Sequence, residues 1–286
     1  MILRDIVIEV PDRSTEVPLM FFSDDHRGDV CFAEDILQDD INWVRKHEAR
    51  WLHLGDKFNA TTPDDKRYEH LNLAKEYRHL APEGVLNAVL EDHTAIYKPI
   101  AHLCEGAVIG NHCQTLQRIH HKNLHFEFLQ KLIPDGNWRI DGRHYLDLGY
   151  RAIVRIKFRR VNSNNEKLHS SVFMIWLWHG FAYPTLRQTR MGNLLRKAND
   201  YTGINMFLVG HWHDRLFWQD SSRITVPHRG ELKLTASVRY LGMCGTYLKG
   251  MMENHDGYAD KHAYPACELG GLRLWVNPNT LEVREG

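Results

Sequence analysis

The segment Val17-Pro18-Leu19-Met20-Phe21-Phe22 is almost wholly apolar and stops abruptly at Ser23-Asp24-Asp25-His26. Six residues is strand length, and a continuous apolar run of that size reads as a strand covered on both faces. The same junction recurs along the chain. Trp51-Leu52-His53-Leu54 ends at Gly55-Asp56, and Ala107-Val108-Ile109 ends at Gly110-Asn111-His112. The run 172–178 leads into His179-Gly180, and Asn205-Met206-Phe207-Leu208-Val209 leads into Gly210-His211-Trp212-His213. Ligands of open α/β sheets bind beyond the carboxyl ends of strands, where loops converge on one crevice. Five strand ends that each deliver Asp, Asn or His exceed what turn chemistry explains.

The segments between these junctions are helical in period. Ile36, Leu37, Ile41 and Val44 recur at helical spacing, and the pattern predicts helices over 34–46, 64–79, 83–102, 115–132 and 185–200. From residue 145 the period changes. Val154, Ile156 and Phe158 alternate with Arg155, Lys157 and Arg159, as in a half-buried strand, and 233–239, 245–248 and 272–276 also read as strands. Strands alternating with helices, then a strand-rich half, imply a layered α/β architecture with helices covering a mixed sheet or a pair of sheets. No repeat, low-complexity tract or linker divides the chain, so residues 1–286 are expected to form a single domain.

Composition excludes several classes. Of 286 residues, 36 are Lys or Arg and 36 are Asp or Glu, which is no composition for a strongly basic nucleic-acid binder. With 43% hydrophobic and 25% charged residues the chain is globular, not disordered. Cysteines 31, 104, 113, 244 and 267 form no CxxC pair and leave one over, which argues against a disulfide framework or a cysteine-held zinc. The first ten residues are too charged for a signal peptide, and no apolar stretch is long enough to span a membrane. A cytoplasmic location is expected. The outlier is histidine, at 19 residues, which exceeds both Tyr and Phe at 11 each.

The donor chemistry at the five junctions is carboxylate, amide oxygen and imidazole without thiolate, which suits Mn, Fe, Zn, Ni or Mg. Asp24-x-His26 and His211-x-His213 each set two donors on one side of an extended segment. Asp24, His26, Asp56, Asn111, His179, His211 and His213 are too many donors for one tetrahedral ion. Two divalent ions about 3.5–4 Å apart, sharing a carboxylate, are the natural assignment for hydrolysis of a phosphate ester.

The ordered series Asp24-x-His26, Gly55-Asp56, Gly110-Asn111-His112, His179 and Gly210-His211-x-His213 resembles the calcineurin-like metallophosphoesterase superfamily, and it spans most of the chain. The resemblance implies a four-layer β-sandwich flanked by helices. It implies one ion held by Asp24, His26, Asp56 and His213, and another by Asp56, Asn111, His179 and His211, with Asp56 bridging. His112 matches the family's catalytic histidine, which gives a proton to the leaving oxygen or stabilises the developing phosphorane. A water shared by the two ions is the implied nucleophile, and manganese the foremost metal. The stretch 245–250, with Gly257-Tyr258-Ala259 and Tyr264-Pro265, resembles a branch of the family found in phages and bacteria.

Two departures from the family pattern matter. Cys113 stands where a carboxylate often orients the catalytic histidine, which leaves that task to another group such as Asp25 or Asp29. Lys57-Phe58-Asn59 replaces the Asp-Arg-Gly block of protein serine/threonine phosphatases, which argues against that activity. No triad signature surrounds Cys113, so it is not read as a nucleophile.

The remaining features have plain readings. The basic residues Arg151, Arg155, Lys157, Arg159 and Arg160 form a solvated strand face or bind a nucleic-acid backbone. Trp176 and Trp178 are expected in the core and Trp212 in the cleft; Arg27 either clamps phosphate or pairs with Asp29. His120, His121 and His125 are expected to face solvent. The leading expectation is a phosphodiesterase on nucleotide or nucleic-acid substrates, acting apart from membranes. A phosphomonoesterase on a small metabolite is the second, and a non-catalytic scaffold of the same fold the third.

Overall fold

Val17–Phe22 is the central strand of a five-stranded sheet in the computed structural model, which describes every residue except 13, 60, 66–67, 135–143, 162–166, 183, 226–234 and 251–267. The strands are β1 (Ile2–Val10), β2 (Val17–Phe22), β3 (Arg50–His53), β4 (Cys104–Ala107), β5 (Arg151–Val161) and β6 (Lys167–Trp178). After them come β7 (Met206–Val209), β8 (Leu216–Thr225), β9 (Thr235–Met243), β10 (Leu272–Val276) and β11 (Val283–Glu285). The helices are α1 (Glu34–His47), α2 (Pro82–Tyr97), α3 (Asn111–His120), α4 (Leu124–Leu132) and α5 (Arg187–Asn199).

One sheet has the order β11-β10-β2-β3-β4 and the other β1-β5-β6-β7-β9-β8. They pack face to face through Leu19, Phe21, Leu52 and Leu54 on one side and Val154, Ile156, Phe173 and Ile175 on the other. The opposite face of the first sheet carries Met20, Phe22 and Trp51, which pack against the Leu37, Val89 and Phe128 helical face. The far face of the second sheet carries Trp176 and Phe207, which pack under Leu194 and Ala198 of α5. Helices, sheet, sheet and helix make the expected four layers. Each fully buried Leu or Phe contributes about 1.5–3 kcal/mol, and β2, whose Leu19 to Phe22 are wholly buried, feeds both inner layers.

Topology positions the crevice. β2, β3 and β4 run parallel, as do β6, β7 and β9. Their carboxyl ends therefore open on one rim of the sandwich, where all the candidate donors lie.

Several local expectations are corrected. The stretch 64–79 is not an α-helix: it holds two short 3₁₀ turns, His70–Asn72 and Lys75–Tyr77. Its backbone is captured by the loop after β2, with Val30 N–H donating to Asn72 O and Ala74 N–H to Gly28 O, so tertiary pairing overrides helical period. The helix expected over 83–102 becomes 3₁₀ from Lys98, just before Pro99. The stretch 115–132 divides into α3 and α4, because His121 turns left-handed (φ 55°) and Asn123 caps the second helix at Phe126 N–H. Residues 245–248 make isolated bridges instead of a strand. β1, β8 and β11 went unread in the sequence, although Ile6, Ile8 and Val10 alternate. Residues 233–234 of the expected strand and the 257–265 segment lie outside the described residues. No helix among the described residues is long and apolar enough to cross a membrane.

Candidate metal centre

Three of the five donor loops leave their strands by strained turns. Asp24 (φ 56°), His26 (52°), Asp56 (50°), His211 (64°) and His213 (47°) all occupy the left-handed region. Non-glycine residues persist there only where surrounding structure over-determines them, and such outliers gather at functional sites. Glycines permit the close approach: a Cβ on Gly110 would lie 2.1 Å from both the N and Oδ1 atoms of Asp56.

Backbone bonds register the loops on one another. Asp24 N–H donates to Gly55 O (3.0 Å) and His26 N–H to Asp56 O (3.1 Å) within the first sheet's rim. The second sheet's rim is joined by His211 N–H donating to Asp24 Oδ2 at 2.7 Å. His179 Nδ1 donates to Leu54 O at 2.7 Å. A carbonyl only accepts, so the neutral His179 ring turns the Nε2 lone pair into the crevice. That nitrogen lies 3.0 Å from Asp56 Oδ2 and 2.9 Å from Asn111 Oδ1.

Two groups of donors result. Asp24, Asp56, His179 and His211 form one; Asp24, His26 and His213 form the other, with ligand atoms inside each group within 4.8 Å of one another. His26 Nε2 and His213 Nε2 face each other at 3.1 Å, and Asp24 Oδ1 lies 3.3 Å from the latter. The structure thus brings together all seven expected donors. The sharing differs in one respect from the expected ligand sets. Asp24 belongs to both groups, while Asp56 joins the first group and a third set with His26 and His112.

Electrostatics suits a cation. Burial opposes ionisation of Asp24 and Asp56, yet the neighbouring His213 and the charge of His179 hold Asp24 at about 2, and His179 and His112 hold Asp56 well below the carboxylate range. Burial and neighbouring imidazoles push His26 down to about 3, and burial with His179 pushes His211 down to about 4. Burial also opposes charge on His179, but Asp56 and Asp24 outweigh it and raise that ring to about 9. With His26 and His211 neutral beside anionic carboxylates, these donors are in the protonation states a divalent ion requires, and His179 would release its proton as an ion binds. Asp24 Oδ1 is buried without a hydrogen-bond partner, so a lone pair is left for an ion. The residues fit the group the sequence implies.

His112 sits in the first turn of α3. Its N–H donates to Asp56 Oδ1 (3.0 Å), and its ring lies 4.9 Å from that of His26. Asp25 does not serve it. The Asp25 carboxylate is buried, and its Oδ2 accepts from His53 Nε2 (2.8 Å), His93 Nε2 (2.9 Å) and Tyr97 OH (2.9 Å). Asp29 accepts from Cys31 N–H and Asn59 Nδ2. Burial pushes the Cys113 thiol up to about 12, so it stays protonated.

Other expectations are revised. Trp212 is 1% exposed and donates from Nε1 to Ala182 O, so it packs beneath the histidine turn instead of facing the cleft. His125 is buried between Lys57 Nζ (3.2 Å) and Asp147 Oδ1 (3.3 Å), not turned to solvent; His120 and His121 are exposed as expected. Arg27 pairs with Glu34 at 2.7 Å and lies over the Phe32 and Tyr77 rings. Arg155 and Lys157 both bind Asp5 of β1, so part of the basic strand face is neutralised by its neighbour. Trp176 is buried, as expected for a core residue. The sequence offers Asp25 only as a partner for His112 and gives Lys57 and Arg190 no place at the site, since no local pattern marks their burial.

Neither protein-family profiles nor curated proteins yield a match to this chain. Among solved structures it is similar to a conserved Streptococcus pneumoniae protein described as a predicted phosphoesterase, at 11% identity and TM-score 0.36, over 95% of this chain and 98% of that one. Yfce, a phosphoesterase from E. coli, aligns at 12% identity and TM-score 0.34, over 94% and 98% of the two chains. The calcineurin-like phosphoesterase YfkN from Bacillus subtilis aligns at 11% identity and TM-score 0.35, over 82% and 83%. Likenesses at these scores add nothing to the chemical reading of the site.

Proposed function

We propose that the chain is a metal-dependent phosphoesterase with two divalent cations, manganese foremost, that hydrolyses phosphodiesters of nucleotide or nucleic-acid type. One observation carries the reading: donors from both sheets meet in two groups that share the Asp24 carboxylate. Bound ions would supply Lewis acidity at the phosphoryl oxygens and lower the pKa of a water nucleophile.

The chain's own residues have separable roles in this reading. Asp24, His26 and His213 would hold one ion, and Asp56, Asn111, His179 and His211 the other, with Asp24 common to both donor groups. The Leu54 carbonyl fixes the His179 tautomer, which keeps its free lone pair pointed inward. His112, tied to Asp56 through its backbone, presents its imidazole beside His26 and donates a proton to the departing oxygen.

A diester carries one negative charge at phosphorus, and a monoester up to two. Arg27, the guanidinium adjoining the first donor pair, is engaged by Glu34 and has Glu76 and Asp92 each 3.8 Å away, so it is not set aside for a second charge. That favours the diester. Metal-stripped protein reloaded with Mn is expected to hydrolyse bis-p-nitrophenyl phosphate faster than p-nitrophenyl phosphate. Turnover of the monoester alone discards the diesterase for the phosphomonoesterase. Failure to bind metal, with no activity rescued by Mn, leaves the non-catalytic scaffold.

A further inference from the structure

We infer that Arg190 is a positioning residue for the metal centre, holding the His211-Trp212-His213 turn so that each histidine reaches its own donor group. This rests on the metal-centre reading above and names a residue outside its ligands. On α5 the buried residues are Arg190, Leu194 and Ala198, spaced by four along one face. Leu194 and Ala198 cover Trp176 and Phe207, as a helix packed on a sheet requires. An arginine at the first position of that stripe is out of pattern, and its side chain is only 2% exposed.

A buried guanidinium is tolerated when its donors are satisfied in good geometry. Among the described residues Arg190 meets that condition through two loops. Its Nε donates to Pro184 O (2.7 Å) and NH2 to Thr185 O (3.2 Å); its NH1 donates to Trp212 O (3.2 Å) and Asp214 Oδ2 (3.1 Å). The residue between the two histidines is thus held at its carbonyl by Arg190 and at its indole by Ala182 O (2.9 Å). The residue after them is held at its carboxylate, which Arg187 also binds through two nitrogens at 2.6 and 2.9 Å.

The turn needs such a grip. His211 and His213 are both left-handed, a conformation that relaxes unless its surroundings fix it. They also belong to different groups, His211 with Asp56 and His179, His213 with His26. Loosening this one turn therefore disturbs both ion sites, whereas loss of His26 disturbs one.

The test is Mn titration calorimetry on metal-stripped full-length protein, paired with melting curves with and without Mn. Arg190→Gln is expected to weaken Mn binding at both sites by roughly 10–100-fold, the usual range for losing a group that orients a metal ligand. The Mn-induced rise in melting temperature should shrink with it, which a purely structural role would leave intact. Should Arg190→Gln fail to fold, Asp214→Asn keeps the volume and carries the same expectation. Arg196→Ala, on the exposed face of α5, is the control and should bind as wild type. Affinities and Mn-induced shifts in the variants within twofold of wild type overturn the clamp while leaving the metal centre standing. Wild-type protein that takes up no Mn overturns the metal-centre reading itself, and the clamp with it.

Discussion

Asp24 Oδ2 accepts the backbone N–H of His211 at 2.7 Å, and together with the His179 to Leu54 O bond this contact joins the rims of the two sheets. The same oxygen accepts from Ser23 Oγ, so Oδ2 organises loops while Oδ1 is left without a hydrogen-bond partner beside His213. Asp24→Asn keeps the shape and removes the charge at the point where both donor groups meet. Loss of this ligand should lower Mn affinity beyond the roughly 10–100-fold that follows loss of a neighbouring orienting group. Titration calorimetry reads it, and affinity within tenfold of wild type would remove Asp24 from the centre.

His112 is expected to separate binding from turnover. Its ring adjoins His26, and its backbone N–H is bonded to Asp56. His112→Asn should therefore keep the full complement of metal while slowing turnover by roughly 10²–10⁴-fold, the range for a lost general acid. Metal content by elemental analysis, measured beside diester hydrolysis, distinguishes this from a ligand. Unchanged turnover would reject the proton-donor role.

Two glycines give opposite forecasts. On Gly110 a Cβ would meet the backbone N of Asp56 at 2.1 Å, an atom that cannot move without displacing a donor. Gly110→Ala should cost about 1–3 kcal/mol as overpacking and reduce Mn uptake. Gly192 lies inside α5 with no atom within 4 Å of its added Cβ. Gly192→Ala should stabilise by about 0.5–1 kcal/mol through helix propensity and unfolded-state entropy. Urea unfolding of both variants decides.

The donors were legible in the sequence because each closes an apolar strand, a local signal. What anchors them was not. Asp25, between the ligands Asp24 and His26, turns the other way into the core, where its partners His53, His93 and Tyr97 lie 28, 68 and 72 residues away in sequence. No spacing announces such a cluster, and an acidic pair after a strand reads as a solvated turn. The false helix over 64–79 has the same origin, since contacts with the loop after β2, not the local period, set its backbone. Local patterns identify what a strand end offers; only the assembled sheets show what holds it still.

Acid should destabilise the protein through neutral buried histidines. Burial, with the nearby Lys57 charge and against the pull of Asp25, pushes His53 down to about 4; burial and Lys57 push His125 down to about 4 as well. Both lie below the unfolded value of about 6.5, so between those limits the unfolded chain binds more protons than the folded one. Stability is fully present above about pH 6.5 and falls as pH drops toward 4, with a limiting slope of about 1.4 kcal/mol per pH unit for each histidine. Urea titrations of metal-free protein at pH 7, 6 and 5 measure it. A flat profile would mean that these rings are charged in the folded state.

The buried charges near the centre should differ in how they tolerate loss. Lys57 is wholly buried, its Nζ donating to Val108 O at 3.3 Å and to His125 Nδ1 at 3.2 Å, over the Phe128 ring. Methionine fills the same volume without a charge to desolvate. His125 and Val108 are both neutral, so Lys57→Met leaves two buried acceptors unpaired but no ion, and should cost about 1–3 kcal/mol. Asp25 is the reverse case. Its removal strands three buried donors at once, on His53, His93 and Tyr97, so Asp25→Ala should cost about 3–5 kcal/mol. Because Asp25 sits between Asp24 and His26, that loss should also reach Mn binding, and Lys57→Met should not. Equal losses in the two variants would show that burial alone, not the stranding of partners, sets the penalty here.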